Sequence, residues 1–332
     1  MARTAREAML EGVQAARRLH LALGAQSHLA QGVGKIDVFR TAVDLGATLL
    51  FRPLDGPLGL YLDKPAPGIL ISTKRELHIQ RFTGAHELGH LVLEHEPSVD
   101  TEVGLWRGGQ QQDLKETAAD AFASEFLLPR WLFVHHAQRH GWLSEHLKSP
   151  ENAYQLSLRM CASYEATCWG LQSHNILGSS DVRNLLSHPP KSIKNGALDG
   201  IPIENPWANV WIITEQDNQL RIEGGPDDIF IFKLTEHSAA GYLWDQNHLA
   251  EQGMILLKDY RVSDANEFTC GGKIERVLVM RASQPGEYQL LLNERRPWLR
   301  LGEPLSTVAL QMALEGKEVG LPRFSRRVLA LA

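Results

Sequence analysis

Long apolar runs are missing from this chain of 332 residues: no 18-residue apolar stretch occurs, so no membrane-spanning helix is expected. Cysteine is scarce. Cys161, Cys168 and Cys270 form no Cys-x-x-Cys pair, and an odd count of three argues against a disulfide framework. Cys161 and Cys168 are seven apart, a spacing that shares one helix face, and read as buried thiols. An excess of basic residues is also absent. Lys and Arg number 34 against 39 Asp and Glu, a formal net charge of −5, and direct nucleic-acid binding is therefore not expected. Residues Ala2–Gly24 lack the apolar core and cleavage site of a signal peptide. They read as an amphipathic helix carrying Arg3, Arg6, Glu7, Glu11, Arg17 and Arg18, and the cytoplasm is the expected compartment. There is no internal repeat and no long low-complexity segment.

What remains is an ordinary globular composition, 43% hydrophobic and 22% charged, long enough for two domains. The first half predicts a helix over Asp37–Leu45, strands at Thr48–Arg52 and Gly68–Ile71, and a three-stranded sheet flanked by helices. Helical pattern continues through Ala153–Gln172. Between Pro189 and Pro206 the chain is rich in proline and glycine, the composition of a linker. Beyond it, Val210–Thr214, Gln219–Ile222, Ile229–Leu234, Val277–Arg281 and Tyr288–Asn293 read as short strands of a β-sandwich. Leu305–Gly316 reads as helical within a mixed tail.

The chemistry lies in Phe82-Thr83-Gly84-Ala85-His86-Glu87-Leu88-Gly89-His90, a His-Glu-x-x-His pattern in an apolar helical context. His86 and His90 project from one helix face, one turn apart, and suit a single Zn2+. Glu87 sits beside the ion, where a carboxylate takes a proton from an activated water. A site of this type needs a third protein ligand with one position open. The best candidate is Glu116, at the start of a second helix that Pro129 ends, with Asp120 one turn later as the acceptor that orients a ligand imidazole. Glu94 and His95 read as surface groups near the end of the first helix. Among His135, His136 and His140 the pattern does not choose.

Together with Lys35-Ile36-Asp37-Val38, Asp44-Leu45-Gly46-Ala47, Gly59-Leu60-Tyr61, Ile69-Leu70-Ile71-Ser72 and Glu116-x-x-Ala119-Asp120-x-Phe122-Ala123-x-x-Phe126-Leu127-Leu128-Pro129, this motif resembles the ImmA/IrrE zinc metallopeptidases over about residues 5–185. The run from Leu156-Ser157-Leu158-Arg159-Met160 to Ile176-Leu177-Gly178 is similar to that family's closing helix-turn-helix-like segment. Gly84 and Phe126 depart from its usual residues, at packing positions. The resemblance implies one Zn2+ per chain, ligands His86, His90 and Glu116, and general base Glu87. It also implies a protein substrate, a helix-turn-helix repressor of stress, mobile-element or defence genes.

Farther on, Gly241-Tyr242-Leu243-Trp244, Cys270-Gly271-Gly272 and Arg296-Pro297-Trp298 are similar to the three loop motifs of chagasin-type inhibitors of papain-like cysteine proteases, over about residues 205–300. That family's fold is immunoglobulin-like. Here His237-Ser238-Ala239-Ala240 stands where the family has Asn-Pro-Thr-Thr. Tyr242, Trp244, Arg296 and Trp298 are candidate partner-binding residues, or, for the tryptophans, core residues of the sandwich. The expected fold is α+β: a zincin-like metallopeptidase domain with a helix-turn-helix-like segment, then an all-β immunoglobulin-like sandwich. The expected division is 1–188 metallopeptidase, 189–204 linker, 205–303 sandwich and 304–332 tail. The expected function is zinc-dependent endopeptidase, with a non-catalytic regulator-binding protein as the alternative and a cysteine-protease partner as a third reading.

Overall fold

The computed structural model describes residues 4–27, 34–96, 99–100, 113–198, 200–263, 274–299 and 302–331. A mainly helical part comes first: α1 (Ala5–Ala22), α2 (Val38–Asp44), β1 (Thr48–Arg52), β2 (Gly59–Leu62), β3 (Gly68–Ser72), α3 (Leu77–Val92), β4 (Val99–Asp100), α4 (Leu114–Leu127), α5 (Arg130–His140), α6 (Ser144–Leu147), α7 (Pro150–Met160), α8 (Tyr164–Ser173), α9 (Ser179–Leu186) and α10 (Pro190–Leu198). A β-rich part follows: β5 (Val210–Ile213), β6 (Arg221–Glu223), β7 (Ile229–Glu236), β8 (Leu243–Asp245), β9 (Met254–Ser263), β10 (Ile274–Ala282), β11 (Gly286–Arg295), β12 (Ser306–Leu314), and a last helix α11 (Arg323–Leu331). The mixed α+β class is as expected. The chain separates into two compact units, one of Met1–His135, Arg159–Val182 and Lys317–Ala332, the other of His136–Leu158 and Arg183–Gly316.

In the first unit the sheet has four strands, not three, in the order β1-β3-β2-β4. β2 and β4 are too short to display an alternation of their own, which is why the pattern along the chain understated the sheet. Thr4 caps α1 and Glu7 completes a capping box, so the helix starts inside the expected Ala2–Gly24. Asp37 caps α2 by accepting from the Arg40 N–H at 3.0 Å. The small face of α1, Ala8, Gly12 and Ala15, is buried, and α1 packs along α4. The helical run expected over Ala153–Gln172 breaks in two, because Cys161 adopts φ 52° and Ser163 caps α8. The end of the chain also returns to this unit. Gln80 of α3 accepts from the Glu318 N–H at 2.8 Å and donates to the Glu318 carbonyl at 3.0 Å, while Phe51 and Gly320 exchange two backbone bonds.

The second unit holds two four-stranded sheets, β5-β7-β10-β9 and β6-β12-β11-β8. Ile229, Ile231, Val277 and Val279 turn one face of the first sheet toward Leu198 of α10. Its opposite face, Trp211, Phe230, Phe232, Leu278 and Met280, is equally buried. Burial on both faces explains why these strands read as unbroken apolar runs. The second sheet buries Leu290, Leu292, Val308, Leu310 and Met312 and alternates them with more exposed residues. Strand β5 is a sheet edge, and Gln155 of α7 covers it by donating to the Val210 carbonyl and accepting from the Ile212 N–H, both at 2.8 Å. Asp228 is fully buried, accepting from Trp211 Nε1 at 2.9 Å and the Asn209 N–H at 2.8 Å. Burial pushes its carboxyl up to about 6, against the pull of those hydrogen bonds.

Two expectations are corrected here. The stretch read as a linker contains α10, whose Pro190 occupies the first helical turn, where a missing N–H costs nothing. Leu305–Gly316 is not helical: β12 runs through it, paired antiparallel to β11 and parallel to β6. Leu310, Met312 and Leu314 alternate with a period of two, and the pairing decides the outcome over local helix propensity.

Candidate metal centre

Helix α3 is buried continuously from Thr83 to His90, so it is a central helix and not an amphipathic surface one. Two glycines set what lies against it. A Cβ on Gly89 would stand 3.2 Å from Ala119 Cα and 3.1 Å from Phe122, so its absence lets α3 and α4 approach closely. On the other side, a Cβ on Gly59 of β2 would lie 2.7 Å from Glu87 Oε1, so this glycine keeps open the space that the Glu87 carboxylate fills. Helix α4 opens on Asp113, which accepts from the Lys115 N–H at 2.9 Å. Glu116 follows in the first turn, where the helix dipole favours a carboxylate.

These constraints bring three buried side chains to one point. His86 Nε2 and His90 Nε2 are 3.0 Å apart, His86 Nε2 is 3.2 Å from Glu116 Oε2, and His90 Nε2 is 3.5 Å from Glu116 Oε1. Among the described residues, His86, His90 and Glu116 are the group whose donor atoms converge in a way that suits a metal ion. Tetrahedral donors held at ~2.0–2.1 Å from zinc stand roughly 3.3–3.4 Å from one another, so this spacing fits such an ion. The far nitrogens of both rings are engaged elsewhere, which leaves both Nε2 atoms directed inward. His86 Nδ1 lies 2.8 Å from Asp120 Oδ1, and His90 Nδ1 lies 2.9 Å from His95 Nδ1.

His95 departs from the expectation of a surface group: it is 9% exposed, while Glu94 is exposed as expected. The reason is how α3 ends. Glu94 takes a left-handed conformation, φ 54°, its N–H donates to the Leu91 carbonyl, and the His95 N–H donates to His90 O at 2.9 Å. This turn folds the chain back so that the imidazole of His95 meets that of His90. The glutamate in the turn position, where glycine is usual, hid the device from a reading of the sequence; so did the short β2 that carries Gly59.

His136 and His140 belong to the second unit, where His136 is buried and His140 Nε2 lies 3.4 Å from Asp217. Of the loop motifs there, Arg296 lies over the ring of Tyr242 at 4.6 Å and donates to the Ala240 carbonyl at 3.3 Å. Gly241, at φ 80°, admits the Trp298 ring, which a Cβ would meet at 2.5 Å. Trp298 is 67% exposed, whereas Trp244 is 3% exposed and donates from Nε1 to the Thr235 carbonyl at 2.8 Å. Trp244 is therefore a core residue, and Tyr242, Arg296 and Trp298 form the loop cluster. Cys270, Gly271 and Gly272 lie outside the described residues.

Comparison with known proteins matches two separate segments of the chain. Residues 36–171 match the IrrE N-terminal-like domain of the Peptidase_M78 family, and residues 226–311 match the chagasin family peptidase inhibitor I42. Similar solved structures include the cysteine protease inhibitor EhICP2 from Entamoeba histolytica, at 18% identity over 33% of this chain and 99% of that one, TM-score 0.30. Amebosin is similar at 20% identity over 32% of this chain and 97% of its own, TM-score 0.27. PbICP-C, solved in complex with falcipain-2, is similar at 19% identity over 32% of this chain and 90% of its own, TM-score 0.18. No curated protein matches the chain. The chain thus carries, in order, a segment similar to the IrrE N-terminal-like domain of the Peptidase_M78 family and a segment similar to the chagasin family peptidase inhibitor I42.

Proposed function

We propose that the protein is a zinc-dependent endopeptidase that cuts a protein substrate. The single observation that carries this reading is the convergence of His86, His90 and Glu116 within 3.5 Å, beside the buried Glu87. His86, His90 and Glu116 would hold one Zn2+. Bound there, the ion supplies Lewis acidity, polarising a carbonyl oxygen and bringing water toward neutral acidity. Glu87 accepts the proton of the attacking water and passes it to the leaving amine, which completes peptide hydrolysis without a net proton change at Glu87. Asp120 holds the His86 ring in the tautomer whose Nε2 carries a lone pair. Gly59 leaves room for the Glu87 carboxylate, whose Oε1 a Cβ there would meet at 2.7 Å.

The substrate class we infer is a regulatory protein of a stress, mobile-element or defence response, in the first place a helix-turn-helix repressor, on the family resemblance of residues 36–171. No described helix is long and apolar enough to cross a membrane. A cytoplasmic location is part of this proposal, supported by three cysteines without a paired motif. The chagasin-like domain would contact a protein partner through Tyr242, Arg296 and Trp298, and the exposed Trp298 favours a binding role for it. That same observation supports the second reading, a regulator-binding protein with little catalysis of its own, and a third in which the partner is a cysteine protease.

The test is to measure zinc per chain and to capture partners with Glu87→Gln protein, then to incubate each with wild type. A single zinc-dependent cut in one captured protein is expected. Stoichiometric zinc with no cut in any captured protein favours the binding reading, and a chain that holds no zinc overturns the assignment.

A further inference from the structure

We infer that His95 is a positioning residue of the metal centre: its Nδ1 accepts the Nδ1–H of His90 and thereby holds His90 in the tautomer that offers Nε2 to an ion. This rests on the zinc reading above.

The argument starts with proton arithmetic. A neutral imidazole carries one N–H, so a ring that ligates through Nε2 must carry its proton on Nδ1. His90 Nδ1 lies at hydrogen-bond distance from His95 Nδ1, 2.9 Å away. Two N–H groups cannot point at each other across that distance. With the proton on His90, His95 Nδ1 is the acceptor and its own proton sits on Nε2. His86 solves the same problem differently, against Asp120 Oδ1 at 2.8 Å. The two ligand rings are therefore oriented by unlike partners, one an acid and one a neutral imidazole.

The backbone supports this pairing. His90 and His95 are also joined through the main chain, His95 N–H to His90 O at 2.9 Å, in the turn that closes α3. In such a turn the two side chains at these positions ordinarily make an apolar contact. Here that contact is an imidazole pair, with ring centroids 5.0 Å apart at 63° and both residues buried. The helix stop thus aims the acceptor at the ligand, and a one-residue change in the length of the turn would remove it.

The experiment is zinc affinity by chelator competition on the full chain, for wild type, His90→Ala, His95→Leu and His95→Asn. Leucine fills the space but accepts nothing, and a loss of about 10–100-fold is expected. The amide oxygen of asparagine stands near the place of Nδ1, and its variant should recover to within a few-fold of wild type. Unchanged affinity in His95→Leu, with affinity lost in His90→Ala, overturns the role of His95 and leaves the zinc reading intact. Wild type without zinc, or His90→Ala binding as wild type does, overturns both. A second readout needs no variant. In zinc-loaded, 15N-histidine-labelled wild type, a nitrogen–nitrogen coupling across the hydrogen bond should join His90 Nδ1 to His95 Nδ1, and its absence with zinc bound overturns the inference.

Discussion

Gly12 of α1 and Ala118 of α4 are packed so closely that a Cβ on Gly12 would overlap the Ala118 carbonyl oxygen and stand 2.9 Å from the Phe122 N–H nitrogen. Both obstacles are backbone, which cannot rotate away. Helix α4 carries Glu116 and Asp120, so α1, which lies before the matched segment 36–171, helps to set the height of those two acids against α3. The contact between Arg17 Nε and Glu125 Oε1, 2.8 Å, ties the same two helices farther along. Gly12→Ala should cost about 1–3 kcal/mol in chemical denaturation, the range for overpacking, despite alanine's better helix propensity. It should also weaken zinc binding, because relieving the strain means moving α1 and α4 apart. Unchanged zinc affinity would show that α1 packs on α4 without setting the site.

Glu87→Gln is expected to keep stoichiometric zinc and the fold while turnover falls at least 10²–10⁴-fold, roughly the range for loss of a positioned general base. Metal analysis and single-turnover cleavage of a captured substrate measure the two separately. Persistent turnover in a zinc-loaded variant would remove Glu87 from the reaction.

Asp120 offers a different test. Asp120→Ala deprives His86 of its acceptor at 2.8 Å, and zinc affinity should fall about 10–100-fold with little change in thermal stability. Asp120→Asn can still accept through its side-chain oxygen and should fall less. Equal losses in both would mean that the negative charge, rather than the hydrogen bond, is what the site uses.

Glu94 occupies a left-handed turn position at φ 54°, exposed to solvent. A side chain there costs about 1 kcal/mol that glycine does not. Glu94→Gly should therefore stabilise the protein by roughly that amount in urea titration and leave zinc affinity as it is. Lower stability would mean that the Glu94 side chain makes contacts worth more than its backbone strain.

Asp228 predicts a pH dependence with a definite sign. Its carboxyl is raised from 3.8 to about 6 by burial. The folded protein therefore retains, between about pH 4 and pH 6, a proton that the unfolded chain has released. The contribution to stability is fully present below the lower limit and is lost as pH rises through the upper one, on the order of a few kcal/mol for a shift of this size. Unfolding midpoints across that range should show the decline in wild type and a flatter profile in Asp228→Asn. An equally steep profile in the variant would assign the effect to other groups.

What could be read from the chain alone was local. The spacing of His86 and His90, the helix over Asp37–Leu45, the helix carrying Glu116 and Asp120, and the run Ile229–Leu234 each express one backbone period and one set of neighbours. Periodicity even placed the third candidate ligand, because Glu116 lies in the first turn of a helix whose apolar face is plain. The helical reading of Leu305–Gly316 failed because pairing with β11 and β6 decides this segment, whose Leu310, Met312 and Leu314 alternate with a period of two. Pro190, counted with the linker by its proline- and glycine-rich surroundings, is instead the start of α10.

The sequence by itself determined the chemistry available: two imidazoles at helical spacing, a glutamate one position from the first ring, and a carboxylate on a second helix. Only the tertiary structure decided which groups serve them. Gly59 makes room for Glu87, Gly12 seats α4, and the turn at Glu94 carries His95 back to His90. These relations depend on where separate elements come to rest, and a side chain's role there follows from atoms that are distant along the chain or hidden behind a change of backbone direction.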